Sequence, residues 1–211
     1  MNKNSGVILK DKKSIFIDAD VSIGKNVIIY PNNTIEKGTI IADNVTLYPG
    51  NFITASKIGK GCKLQASVVE SSVTGQGCLI GPYAHLRPKT ILKDNVKVGN
   101  FCEIKNSIIG SNTKISHLAY VGDTTIGTNC NIGCGAIFVN YNGKTKFKTH
   151  VGDGCFIGSN VNVIAPVTIA NKSYICAGTT IDKSTKEYDF VIGRVQNTIK
   201  SNYSAKYLGE L

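Results

Sequence analysis

The chain has 211 residues, 42% of them hydrophobic and 8% aromatic with no tryptophan, and its formal net charge is +10. These totals suit one domain with a continuous core, and no segment approaches the roughly 20 apolar residues of a membrane span. The positive balance favours an anionic partner, but the basic residues are scattered, without an arginine-rich arm or an RNA-binding aromatic motif. A small phosphorylated ligand is therefore a better prediction than nucleic acid or membrane insertion.

Residues 1–15 are polar and interrupted by lysine, and their apolar pieces are too short for the core of a signal peptide. We interpret them as a lead-in segment. The chain contains seven cysteines, an odd number without a CxxC pair, which favours reduced thiols and a cytoplasmic location. Cys130 and Cys134 are four residues apart without companion ligands nearby, so we expect neither a zinc site nor another metal.

From about Phe16 onward, apolar residues recur every six positions, a period that is neither helical nor that of a simple strand. The pattern predicts a parallel β-helix in which each hexapeptide forms one short strand and a corner, and three hexapeptides make a triangular coil. Glycine, asparagine and aspartate suit the corners, because positive φ costs these residues little. We predict an all-β solenoid of roughly nine coils over residues 16–182. The repeat positions include Ile23, Ile29, Ile35, Ile41, Leu47, Ile53, Ile80, Leu86, Leu92, Val98, Ile104, Ile157, Val163, Ile169, Ile175 and Ile181.

One long interruption breaks the six-residue frame near residues 139–151, which read VNYNGKTKFKTHV. The stretch is polar, and we predict a loop ejected from the prism, a place where repeat folds tend to carry binding groups. After Ile181 the periodicity stops. We expect residues 183–211 to form an irregular tail that caps the open strand edge or crosses onto a neighbouring subunit.

The three histidines, His85, His117 and His150, are 32 and 33 residues apart. This spacing does not offer the close cluster that a zinc hydratase built on hexapeptide repeats would use. His117 lies in SHLAYVGD, next to Ser116 and close to Tyr120, which by itself is weak support for a general base. For His85 and His150 we favour ordinary surface or corner positions.

Long, ordered motifs over about residues 80–195 resemble one known family. The motifs are GPYAHLRP (81–88), VGNFCEIKNS (98–107), SHLAYVGD (116–123), IGTNCNIGCGAIFVNYNGKTKFKT (126–149), IGSNVNVIAPVTIA (157–170), AGTT (177–180) and GRV (193–195). The chain is similar to the acetyltransferase domain of the bifunctional N-acetylglucosamine-1-phosphate uridyltransferase and glucosamine-1-phosphate N-acetyltransferase (GlmU) family. The resemblance implies a left-handed β-helix, a homotrimer and active sites between subunits. That handedness departs from the usual right-handed crossover rule.

The resemblance also implies a role for individual residues. His117 matches the catalytic base, and the tail would contribute to the coenzyme site. The positions that hold the amino-sugar phosphate are Arg87, Lys105, Tyr120, Asn131 and Lys146. The positions that contact acetyl-coenzyme A are Cys134, Asn140, Tyr141, Ser159, Ala177 and Arg194. The cysteine departs from the family, which more often has alanine there.

The residue chemistry agrees with these roles. An ammonium must lose a proton before its nitrogen can attack a thioester, and an imidazole can accept that proton near neutral pH. Arginine and lysine supply charge for a sugar phosphate, and arginine can do so through two hydrogen bonds.

The expected function is acetyl transfer from acetyl-coenzyme A to the amine of glucosamine 1-phosphate, a step toward UDP-N-acetylglucosamine and the cell wall. The sequence contains no Gly-rich phosphate loop, so we expect neither uridylyl transfer nor its magnesium, and a separate uridyltransferase could be a partner. Two alternatives stay open. One is a hexapeptide acetyltransferase for another, nucleotide-linked amino sugar, and the other is a non-catalytic trimeric scaffold for a separate uridyltransferase.

Overall fold

The structure is a computed structural model in which residues 6–209 are described. Within this range the chain forms 30 strands of two to four residues and one short helix, α1 (Ala205–Leu208). The strands make three parallel sheets, which we name faces A, B and C and which have 11, 10 and 9 strands. The chain passes from face A to B to C in each coil, and most strands pair with the strand three places later.

Face A contains β1 (Ile8–Leu9), β4 (Ile28–Ile29), β7 (Thr46–Leu47), β10 (Lys63–Leu64), β13 (Leu79–Ile80), β16 (Lys97–Asn100), β19 (Lys114–His117), β22 (Asn131–Ile132), β25 (Phe156–Ile157), β28 (Tyr174–Ile175) and β30 (Phe190–Val191). Face B contains β2 (Phe16–Ile17), β5 (Thr34–Ile35), β8 (Phe52–Thr54), β11 (Val68–Glu70), β14 (His85–Leu86), β17 (Glu103–Lys105), β20 (Tyr120–Gly122), β23 (Ile137–Val139), β26 (Asn162–Ile164) and β29 (Thr180–Ile181). Face C contains β3 (Ser22–Ile23), β6 (Ile40–Ile41), β9 (Lys57–Ile58), β12 (Val73–Thr74), β15 (Ile91–Leu92), β18 (Ile108–Ile109), β21 (Thr124–Ile126), β24 (Thr149–Val151) and β27 (Val167–Ile169).

These coils form a left-handed parallel β-helix of about 10 turns, where the six-residue period predicts a β-helix of roughly nine and the family resemblance predicts its handedness. The repeat residues point into the prism, where they stack in register on the same position of the next coil, as in the pairs Ile80 with Val98 and Ile132 with Ile157. Side chains alternate between the two faces of a strand, so in each two-residue strand one residue points into the prism and is buried or partly buried, and its neighbour points outward. The hydrophobic core is consequently a single column along the solenoid axis.

The corners depend on left-handed backbone geometry. Nine of the nineteen non-glycine residues with positive φ in the described part of the chain are asparagine. Asparagine tolerates this region better than most residues, which explains its abundance between the apolar positions.

The solenoid is longer than the sequence predicts. β1 lies within the predicted lead-in segment and pairs with β4, and β30 lies within the predicted tail and pairs with β28. The solenoid therefore extends beyond both ends of the predicted range 16–182. At the N-terminal end, the lysines of the stretch LKDKKSI obscure the apolar period in the sequence.

Residues 140–148 leave the prism between β23 and β24, which confirms the predicted ejected loop. The loop is a small hairpin in which Tyr141 and Lys146 form an antiparallel bridge. At its tip, Asn142 Oδ1 accepts hydrogen bonds from the backbone N–H groups of Lys144 and Thr145, at 3.0 and 2.8 Å. After β30, residues 192–209 are exposed, and no helix within residues 6–209 has the length and apolar character to span a membrane. A role of the tail on a neighbouring subunit stays a prediction.

Core packing is tested by Leu86→Ala beside Leu79→Ala. Leu86 is fully buried in the prism, whereas Leu79 is 45% exposed on face A. We expect Leu86→Ala to lower the free energy of unfolding by about 2–5 kcal/mol through a cavity. The exposed variant should change it by about 0.5 kcal/mol or less. Denaturant unfolding measures both, and equal losses would contradict the inward orientation of Leu86.

Candidate functional site

Consecutive coils bring several of the predicted site residues together on face B. Strand pairing sets Glu103 beside Tyr120 and Lys105 beside Gly122. The residue after β14, Arg87, donates its backbone N–H to Ile104, which aligns it with the same strand. The predicted residues on or beside this face are Arg87, Lys105, Tyr120, Asn140 and, on the ejected loop, Lys146.

Arg87 is held by Glu103 of the next coil, with 2.7 Å between Nη1 and Oε1. The hydrogen bond that Arg87 donates to Glu103 raises the pKa of Arg87, and the nearby Tyr120 and Glu70 act in the same direction. The ion pair is about 40% exposed on both sides, so it orients the guanidinium more than it stabilises the fold. A guanidinium has five N–H groups, and those that Glu103 does not engage remain for an anion.

Lys146 reaches back from the loop to Lys105 of face B. The pKa of Lys146 is lowered, first by its side-chain contact with Lys105 and then by the charge of that ammonium. Among the basic side chains of residues 6–209, only those of His85 and Arg87 have a carboxylate oxygen within 4.0 Å. Neither Lys105 nor Lys146 therefore forms an ion pair there. Two ammonium groups in contact suit an anion, because a bound anion would relieve their repulsion.

Asp123 lies at the corner after β20, behind these two lysines. It is 8% exposed, and its two carboxylate oxygens accept hydrogen bonds from Asn106 Nδ2 and Asn140 Nδ2, each at 2.5 Å. Burial acts to raise the pKa of Asp123, but the two amides and the charges of Lys105 and Lys146 outweigh it and lower the pKa. The carboxylate therefore stays ionised beside the anion site.

Sequence reasoning did not single out Asp123, although it ends the motif SHLAYVGD. Its position could have indicated a contact with the loop, because Asp123 lies at a corner one coil before the loop begins. Sequence reasoning instead assigned Asn140 to the coenzyme. In the structure the Asn140 side chain is buried and its amide donates to Asp123.

His117 ends β19 on face A, where strand pairing places it opposite Asn100 of β16. The distance between His117 Nδ1 and Asn100 Oδ1 is 2.6 Å. With the amide oxygen as acceptor, Nδ1 carries the hydrogen and Nε2 keeps a lone pair. The ring is exposed at the corner that leads to face B. The sequence analysis gave Asn100 no role, because only the coil register reveals this contact.

Three predicted coenzyme residues lie directly above His117 in one column along the corner between faces A and B. Backbone hydrogen bonds link each corner to the next: Gly135 to His117 at 3.4 Å, Asn160 to Cys134 at 2.8 Å, and Gly178 to Ser159 at 2.8 Å. The column thus runs through His117, Cys134, Ser159 and Ala177. Its side chains are small, so the corner offers an open strip of accessible backbone.

Arg194 lies at the far end of this strip. A Cβ atom at Gly178 would be 3.7 Å from Arg194 Cγ, which shows that the arginine side chain lies across this glycine. The strip therefore has an imidazole at one end and a guanidinium at the other.

The side chains of two predicted residues are directed away from these groups or engaged elsewhere within one chain. Asn131 faces outward from face A, between Lys114 and Phe156 of the neighbouring strands. The Tyr141 side chain is 53% exposed, and its hydroxyl donates to the Gly143 carbonyl at 2.6 Å within the loop. Among the described residues, no group of three or more His, Cys, Asp or Glu side chains is arranged to hold a metal ion.

Two family models match parts of the chain. Residues 68–141 match the GMPPB C-terminal domain, and residues 20–55 and 148–183 match the bacterial transferase hexapeptide model of six repeats. The second match agrees with the repeats seen in the structure.

Curated relatives match nearly the whole chain. The bifunctional protein GlmU of Clostridium beijerinckii is 45% identical over 196 residues, which are 93% of this chain and 43% of the relative. The GlmU protein of Limosilactobacillus reuteri is 46% identical over 95% of this chain and 44% of its own length. The chain is similar to the C-terminal half of the GlmU proteins. It spans less than half the length of these relatives.

Solved structures show the same fold as this chain. The Arabidopsis UDP-N-acetylglucosamine acyltransferase superimposes with a TM-score of 0.63 over 86% of this chain and 70% of that chain, at 20% identity. LpxA of Bacteroides fragilis, also a UDP-N-acetylglucosamine acyltransferase, gives a TM-score of 0.56 over 85% of this chain and 70% of that chain, at 17% identity. At these identities the likeness extends to the fold alone.

Gly122→Ala tests the packing of the site. A Cβ atom at position 122 would lie 2.5 Å from Tyr120 Oη and 2.7 Å from Asn140 Nδ2. Both contacts are with side-chain ends, so we expect the fold to persist while the phenol and the amide move away. A crystal structure of the variant measures these shifts. Unmoved Tyr120 and Asn140 would contradict the close packing described above.

Proposed function

We propose that this chain is an acetyltransferase that moves an acetyl group from acetyl-coenzyme A to the amine of glucosamine 1-phosphate. The product, N-acetylglucosamine 1-phosphate, would lead to UDP-N-acetylglucosamine and the cell wall. We base this on one arrangement: Lys105 on face B is in contact with Lys146 of the loop, and His117, oriented by Asn100, ends the strand of face A that leads into the next coil of face B. The similarity to GlmU proteins supports the proposal.

The two lysines suit a phosphate. A phosphate dianion between Lys105 and Lys146 would relieve the repulsion that lowers the pKa of Lys146. Arg87 adds a guanidinium on the same face, already oriented by Glu103. Because the phosphate and the amine of glucosamine 1-phosphate are on adjacent carbons, binding here would bring the amine toward the His117 corner.

His117 would act as the general base. Its Nε2 accepts a proton from the substrate ammonium, while Asn100 keeps the hydrogen on Nδ1 and stabilises the imidazolium that results. The freed amine nitrogen then bonds to the acetyl carbon as the carbon–sulfur bond breaks, and the extra proton on the new amide nitrogen passes to water. The proton on His117 can pass to the leaving thiolate, which restores the base.

The strip above His117 fits a long, thin cosubstrate. Its three steps from His117 to Ala177 span roughly 14 Å at about 4.8 Å per coil. Cys134, Ser159 and Ala177 leave the backbone open to a narrow arm, and Arg194 supplies positive charge for phosphates beyond it. Acetyl-coenzyme A, when bound, supplies the thioester that carries the acetyl group.

We further propose a homotrimer with sites between subunits. Asn131 lies on face A and the Tyr141 hydroxyl bonds within the loop, and a neighbouring chain could bring its own copies of these residues to the site. The exposed residues 192–209 could reach the coenzyme site of a neighbour. We place the enzyme in the cytoplasm, since all seven cysteines are free and a reducing compartment keeps them so.

Thiol release from acetyl-coenzyme A in the presence of glucosamine 1-phosphate tests this function. We expect the wild-type protein to release thiol and His117→Ala to lose activity about 10²–10⁴-fold, the range for a general base. His150→Ala is the matched control, since His150 lies exposed on face C, and it should keep wild-type activity.

Three outcomes discriminate between the candidate functions. Activity with a different amino sugar would overturn the substrate but keep the reaction. No activity with any amino sugar, in a protein that light scattering shows to be trimeric, would favour the scaffold. A fully active His117→Ala would remove the proposed base.

The phosphate assignment is tested by Lys146→Ala beside Lys144→Ala. Both lysines are exposed on the same loop, but only Lys146 contacts Lys105. We expect Lys146→Ala to raise the KM for glucosamine 1-phosphate about tenfold, which corresponds to one lost charge-assisted contact. Steady-state kinetics measure this, and an equal effect of Lys144→Ala would point to the general charge of the loop instead.

The orientation of the base is tested by Asn100→Ala. Without the amide oxygen, the ring of His117 can rotate and can carry its hydrogen on either nitrogen. We expect kcat to fall about tenfold or more with a smaller change in KM, because base orientation affects the reaction more than binding. An unchanged kcat would show that Asn100 does not position the base.

A further inference from the structure

The ejected loop carries Lys146, and a single residue of the solenoid holds both ends of this loop. At its beginning, Asn140 Nδ2 donates to Asp123 Oδ2 at 2.5 Å. At its end, the backbone N–H of Thr149 donates to the Asp123 carbonyl at 3.3 Å. Between them, Phe147 N–H donates to the Asn140 carbonyl at 2.8 Å, so an anchored Asn140 also fixes the return strand of the hairpin.

We propose that Asp123 is a positioning residue that clamps the loop 140–148 to the solenoid and holds Lys146 at the phosphate site. Asn106 completes the clamp from the preceding coil, because its amide donates to the second carboxylate oxygen. This inference rests on the proposed function only where it concerns the sugar phosphate. The clamp itself is a property of the fold.

A carboxylate is needed at this position for two reasons. It faces two amide donors, and an asparagine there would present an acceptor to one of them and a second N–H group to the other. It also supplies the negative charge that offsets Lys105 and Lys146, which otherwise repel each other across the gap between loop and face B. Without that charge, the repulsion would favour movement of the loop away from the solenoid.

The local backbone makes the substitution Asp123→Asn a clean probe. Asp123 has a φ of 52°, a left-handed conformation that asparagine adopts as readily as aspartate. The variant therefore keeps the corner and the side-chain volume, and changes only charge and hydrogen bonding. The matched control is Asp153→Asn, at another corner, where Asp153 Oδ1 accepts the Thr128 backbone N–H at 2.6 Å and the Thr128 hydroxyl at 3.0 Å, without contact to the loop.

Trypsin digestion of the native protein gives the first readout, since the loop contains three lysines at 144, 146 and 148. We expect Asp123→Asn to be cleaved within the loop at least tenfold faster than the wild type, because an unclamped loop opens more often. Asp153→Asn should be cleaved at the wild-type rate. The double variant Asp123→Asn/Asn140→Asp restores one bond with donor and acceptor exchanged, and should return cleavage toward the wild-type rate.

Kinetics give the second readout. We expect Asp123→Asn to raise the KM for glucosamine 1-phosphate about tenfold, the effect of one lost contact of Lys146, with kcat changed less. A merely structural role would lower the amount of folded protein and leave KM unchanged. If Asp123→Asn does not fold, Asn106→Ala is the second variant, because it removes one bond from the carboxylate without touching the loop, and it should shift both readouts in the same direction by a smaller factor.

The two readouts separate failure of the clamp from failure of the proposed function. Faster loop cleavage in Asp123→Asn, in a protein inactive on glucosamine 1-phosphate, supports the clamp and overturns the substrate. Wild-type cleavage and wild-type KM in a folded Asp123→Asn variant would overturn the clamp itself.

Discussion

In-register pairing between neighbouring coils is the constraint on which the rest of the structure depends. Each coil fills the prism with the same kind of residue at the same position, so the outward side chains of successive coils also fall into columns. Asn100 and His117, 17 residues apart in the sequence, meet at 2.6 Å for this reason alone. The strip above His117 and the basic cluster of face B arise from the same register.

Charge is arranged unevenly along face B. Toward the N-terminal end, Arg87 is paired with Glu103, whereas Lys105 has no carboxylate within 4.0 Å among the described residues. The loop brings Lys146 to Lys105, and the carboxylate of Asp123 supplies negative charge that offsets the two ammonium groups. Like charges held together in this way suit an anion, and the hydrogen bonds of Asp123 connect the loop that carries Lys146 to the solenoid.

The six-residue period predicted the β-helix, the direction of the core residues and the ejected loop, because each is a local consequence of the repeat. The period predicted a solenoid that is too short at both ends. The strands β1 and β30 pair with the neighbouring coil, but the sequence around them lacks a clear apolar period. The residues of the candidate site came from a resemblance to a family, and the structure brings most of them to one corner and one face. Asn100 and Asp123 could not be predicted, because their contacts depend on which residues share a column. The side chain of Asn140 is another such case, since the coil register sets it against Asp123.

A crystal structure of the chain with glucosamine 1-phosphate tests the account most directly. The account predicts the phosphate between the ammonium groups of Lys105 and Lys146, with the Arg87 guanidinium nearby, the amine directed toward Nε2 of His117, and the loop still held by Asp123. A phosphate bound elsewhere, or an amine directed away from the His117 corner, would contradict it.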